Sequence, residues 1–165
     1  MTEYASDGVL LEGERVQLDA FLADYRTEIV RGLDGLSDEQ ARRRLVPSLT
    51  SPLSIVKHCA FVERVWFQVV IAERTRDSVG IPESAEDSWV VVDADSVGSV
   101  LADYRAACAE SVAIAAEHGL DDVQTWSRRG PLTVRWIYLH MIEELARHAG
   151  HADILREQIL AADAG

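Results

Sequence analysis

The stretch EELARHAGHADILRE, residues 143–157, crowds an acid and two imidazoles into a segment with helical periodicity. Residues three or four apart share one face of an α-helix. Glu144, His148 and His151 therefore form one short stripe, and His140 extends it by a turn. Such a stripe is either a solvated polar edge or one wall of a site. A further imidazole, His58, falls among Ile55, Val62, Val65 and Val69 on a helical wheel, with Lys57 pointing away. An imidazole on an apolar face needs a polar partner or a metal, because burying it without one costs free energy. Two imidazoles and one carboxylate suit a borderline divalent ion, and three protein donors leave a coordination position open. The same residues also fit blander roles: a core histidine on a backbone carbonyl for His58, and a surface pair for Glu144 and His148. His151 is a further ligand, a support for one, a proton carrier near substrate, or a helix-end residue capping carbonyls. His140 shares that ambiguity. His118, beside Gly119, reads as a helix-end group facing the dipole. Arg147 and Arg156 read as salt-bridging surface residues, and Trp66 and Trp136 as core and pocket wall.

The elements that must position these residues are helical. Leu10, Val16, Leu18, Phe21, Leu22, Tyr25, Ile29 and Leu33 recur at helical spacing and predict a first helix over 9–33. SDEQ (37–40) is a capping-box pattern opening a short helix that ends near Pro47. TSPLS (50–54) launches a second long helix, 52–74, with Lys57, Arg64 and Gln68 on its wet side. Residues 75–92 read as a long connection whose end, SWVVVD (88–93), favours an extended segment. A third helix follows from Ala94 or Ser96 to His118, stopped by Gly119. After a polar loop comes the last helix, 132–162, with an apolar stripe at Val134, Ile137, Met141, Leu145, Ala152, Leu155 and Ile159. The expected fold is all-α: a four-helix bundle with a long crossover between helices 2 and 3, forming one domain over 1–165.

Composition excludes several functions. A net charge of −12 and the lack of a basic run argue against nucleic acid, ARRRL (41–45) being short and flanked by acids. No apolar run reaches membrane-spanning length, and no secretory signal is evident, so a cytoplasmic protein is expected. Cys59 and Cys108 then read as free, buried thiols. The 15 arginines against one lysine suggest a GC-rich source genome. HExxH, paired ExxH, CxxC, P-loop and nucleophile-elbow motifs are absent.

SPLSIVKHCAFVERVWF (51–67) followed by HMIEELARHAGHADILRE (140–157) resembles the DinB-like family of metal-binding four-helix bundles, over nearly the whole chain. The resemblance implies a divalent ion held by His58, Glu144 and His148. Many members carry a third histidine where Glu144 stands. The glutamate form is similar to the zinc set of mycothiol-dependent maleylpyruvate isomerase, and bacillithiol transferases are related. Zinc is the first expectation for the metal, with nickel or iron as alternatives. The leading function is a metal-dependent transferase or isomerase joining a low-molecular-weight thiol, such as mycothiol, to an electrophile, with His151 as the catalytic proton carrier. The alternatives are a metal-dependent hydrolase with His151 as general base, a non-haem iron site, and a metal-stabilised stress or interaction protein without turnover. Many relatives pair, and apolar positions such as Leu11, beyond the main stripe of the first helix, add to the expectation of a homodimer.

Overall fold

The computed structural model describes residues 4–163. It is all-α apart from one small hairpin. Four long helical segments make up most of it: α1 (Glu14–Arg31), α3 (Pro52–Glu63) with its π-helical continuation Arg64–Ile71, α5 (Val97–Ala116) and α6 (Val134–Asp163). Two short helices, α2 (Asp38–Ala41) and α4 (Arg76–Val79), lie in the connections. The first packs beside the last, α1 on α6, while α3 lies against both α5 and α6.

Local signals set the starts. Ser37 and Gln40 form the expected capping box on α2. Ser51 caps α3 with Pro52 at the first helical position, and Ser96 caps α5. Each side-chain oxygen takes up an amide that the first turn leaves without a partner. The α6 stripe is buried at every expected position, from Val134 to Ile159. The α1–α6 contact is close: a Cβ on Gly32 would stand 2.7 Å from the Ala152 Cβ, so only glycine allows this approach.

Several expectations need correction. The first helix starts at Glu14, not near Val9, so Leu10 and the fully exposed Leu11 lie in the turn before it. Val16 and Phe21 are exposed, because the face of α1 that meets α6 is narrower than the apolar spacing suggests. SWVVVD is no strand: Asp87–Trp89 forms a single 3-10 turn. The strands are β1 (Val123–Gln124) and β2 (Leu132–Thr133), an antiparallel pair just before α6. This hairpin takes the first two residues of the expected last helix, and Thr133 caps α6 by accepting from the Trp136 amide at 3.2 Å.

The second long helix changes geometry midway. After Glu63 the turns widen, and the Ala72 amide reaches back five residues to the Phe67 carbonyl at 2.9 Å. The wider turn shifts every later side chain around the axis. Gln68, expected on the wet face, is consequently buried at 3% exposure. Arg64 keeps to the outside and pairs with Asp103. Cys59 is buried and Cys108 half-buried, both free thiols. Burial pushes the Cys108 thiol up to about 12, so it is protonated and unreactive at neutral pH.

Candidate metal centre

Three donors converge where α3 faces α6. His58 comes from the middle of α3, and Glu144 and His148 lie one turn apart on α6. Their ligand-type atoms all lie within 4.8 Å of one another. The Glu144 Oε1 is 3.1 Å from the His148 Nε2 and 3.4 Å from the His58 Nε2. Both imidazoles are buried, and the Glu144 side chain is 15% exposed. Glu144 is held in place from outside the group: Arg147 donates to its other oxygen, Oε2, at 3.1 Å and also binds Glu143. Arg147, expected to be a surface ion-pair residue, therefore pins a carboxylate of the site and leaves Oε1 facing inward.

The donor set suits a divalent ion on one observation in particular. Among the described residues, the His148 Nδ1 is a buried ring nitrogen with no hydrogen-bond partner. With its Nε2 on Glu144, the ring keeps one buried polar atom unsatisfied, a cost that an ion bound at these donors would offset. His148, Glu144 and His58 supply the borderline nitrogen and oxygen donors that such an ion prefers.

The electrostatics agree. Burial lowers the His58 pKa, and it also lowers that of His140. The hydrogen bond from His148 is the main reason that the Glu144 carboxyl is held well below the usual carboxylate range. At neutral pH the site thus offers a neutral imidazole at His58 and an ionised carboxylate at Glu144. These shifts make the metal-free protein acid-sensitive. Below about pH 6.5 the unfolded chain takes up protons that folded His58 and His140 resist, so stability falls there as pH falls. Near about pH 4.3 unfolded Glu144 binds a proton that the folded carboxylate refuses, adding a second loss in the same direction. Thermal unfolding of metal-free protein should therefore show a melting temperature that declines on the acid side of neutrality. A melting temperature that rises between pH 7 and pH 5 would contradict this assignment.

Above the donors opens a cleft of about 830 Å³, lined among others by His58, Glu144, His140, Trp66, Trp136 and Arg129. Trp136 stacks on His140 with ring centroids 5.1 Å apart, and Trp66 packs edge-on to His140 at 4.8 Å. The two tryptophans are the wall that the sequence suggested. His140 faces this cleft. His151 does not: it is exposed, its ring packed against His148 with centroids 5.7 Å apart. His118 lies away from the site, and Arg15, not His118, caps the end of α5 by donating to the Ala115 and His118 carbonyls. Arg156 donates to the Asp34 carbonyl at 2.6 Å, tying α6 to the end of α1.

The crossover's part is not legible in the sequence. Ser88 and Trp89 fold over His58, the indole stacking on the imidazole with centroids 4.1 Å apart. A serine and a tryptophan ahead of a β-branched run carry no local mark of this role; only the tertiary path of residues 75–92 creates it.

No helix among the described residues is long and apolar enough to cross a membrane. No curated protein sequence matches the chain. The sequence profile described as Mycothiol-S-transferase matches residues 17–161, which take in all three donors, the crossover and the cleft. The chain belongs to this family of DinB-like proteins.

Proposed function

We propose that this protein is a divalent-metal-dependent enzyme that joins a low-molecular-weight thiol of the mycothiol type to an electrophile, as a transferase or isomerase. The observation that carries the reading is the convergence of His58, Glu144 and His148 at the foot of an open cleft. The matched family adds the thiol. In this reading the four long helical segments form a four-helix bundle, one domain over 1–165, with the crossover between its second and third helices closing over the site. Zinc is the ion we expect.

A thiol with a pKa of about 8.5 is mostly protonated at neutral pH and is a weak nucleophile in that form. A divalent ion at the three donors supplies Lewis acidity and favours the deprotonated sulfur. The chain's own residues do the rest. Glu144, kept ionised and pinned by Arg147, provides negative charge at a fixed point. His58 and His148 provide nitrogen electron pairs. Trp66 and Trp136 give the cleft an apolar wall that limits water around the reacting sulfur. In the transfer, sulfur forms a bond to the electrophilic carbon, and the electron pair displaced there takes up a proton. His140, inside the cleft, can carry that proton, and His151 can exchange it with solvent from the outer side of His148.

Metal-loaded protein tested on a panel of electrophiles, with and without mycothiol, checks this. Consumption should require both the metal and the thiol. Turnover by water alone would favour the hydrolase, and silence under every condition would favour a non-enzymatic metal protein. His151→Ala should lower turnover while metal content stays at the wild-type level.

A further inference from the structure

Ser88 sits on the crossover, in the 3-10 turn Asp87–Trp89, and is buried at 3% exposure. Its Oγ is 2.8 Å from the His58 Nδ1 and 2.5 Å from the Ala85 carbonyl oxygen. A serine hydroxyl has one proton to donate and can accept through its lone pairs. A carbonyl oxygen can only accept, so the Ser88 proton is committed to Ala85. The contact to His58 must then run the other way, with the Nδ1–H donating to the Ser88 oxygen. In a neutral imidazole one nitrogen carries the proton and the other the electron pair. That leaves the electron pair of His58 on Nε2, which lies 3.4 Å from the Glu144 Oε1, a contact too long to outweigh the 2.8 Å bond at Nδ1. Trp89, stacked on the ring at an interplanar angle of 17°, holds that orientation.

We infer that Ser88 is a positioning residue of the metal centre: by accepting from the His58 Nδ1–H it fixes the tautomer that points a bare Nε2 at the shared site. A chain Ala85–Ser88–His58 thus ties the crossover to α3. Among the described residues the His148 Nδ1 finds no partner, so no group stands behind that ring as Ser88 stands behind His58.

The consequence for metal affinity rests on the function proposed above; the tautomer does not. Long-range proton–nitrogen NMR correlation on histidine-labelled, metal-free protein, at a pH where the ring is neutral, reads the tautomer directly. Wild-type His58 should show a protonated Nδ1 and a bare Nε2. Ser88→Ala should move the population toward Nε2–H, which can donate to Glu144. Ser88→Thr, which keeps the hydroxyl, should restore the wild-type pattern. Zinc affinity, measured by competition with a chromophoric chelator, should fall about 10- to 100-fold in Ser88→Ala, the usual effect of losing a partner behind a ligating histidine, and recover in Ser88→Thr. A lower melting temperature with an unchanged tautomer would mark Ser88 as merely structural and overturn the inference. So would a bare Nδ1 in the wild type. Failure of the wild type to bind zinc would count against the metal reading, and the tautomer pattern would still decide the role of Ser88.

Discussion

His148→Ala is expected to lose its divalent ion almost completely, and His58→Ala should do the same. Each substitution removes one of three donors that come from two different helices. His58→Ala leaves both remaining donors on α6, His148→Ala leaves one on each helix, and in either case only two of the three protein donors remain. Losing a group behind a ligand typically costs 10- to 100-fold in affinity, so losing a ligand should cost more than about 100-fold. Elemental analysis of protein purified without a metal-affinity tag measures this. One ion per chain is expected in the wild type and far less in either variant. Equal metal content in all three proteins would end the assignment. The fold should survive the loss, since the core formed by Leu22, Ile29, Phe67, Met141, Leu145 and Ile159 does not depend on the ion.

The largest effect on stability should come from a pair that has no part in the donor set. Glu63, fully buried at the end of α3, accepts two hydrogen bonds from Arg26 of α1, both at 2.8 Å. The pair lies where the α-helical turns give way to the π-helical ones. Arg26→Ala would leave the carboxylate buried without its counter-charge, and breaking such a pair costs about 3–5 kcal/mol. Chemical denaturation should show a midpoint lowered accordingly. Arg26→Met combined with Glu63→Met removes both charges, and this double variant should recover most of the loss or exceed the wild type. A loss from Arg26→Ala of less than about 1 kcal/mol would mean that the pair behaves like an exposed one.

The parts of the site that were legible in the sequence are those governed by local rules. Glu144 and His148 could be placed together because helical spacing decides it, and the apolar stripe of α6 fixed which way they face. His58 could be oriented because its neighbours Ile55 and Val62 are apolar and Lys57 is not. The starts at Ser37, Ser51 and Ser96 were legible because a cap acts within three residues. Gln68 was misplaced because a uniform wheel cannot anticipate a widened turn. The hairpin at Val123–Thr133 and the 3-10 turn at Ser88 were missed because their stability comes from contacts made by other elements. The Ser88–His58 contact spans 30 residues, and no periodicity encodes it.

The donors His58 and Glu144 are 86 residues apart in the chain. Synthesis delivers the N-terminal part first, at roughly 5–20 residues per second. While α3 and the crossover have already emerged, two of the three donors, Glu144 and His148, do not yet exist as a surface. A nascent chain can present His58 and Ser88, but it cannot chelate anything with them. Assembly of the donor set thus waits for α6, made after α3 and the crossover, and then requires closing a long loop whose entropic cost grows only slowly with length. In the reading proposed above, the order of translation keeps chains that lack α6 from competing for metal, because the donor set is complete only once α6 has docked.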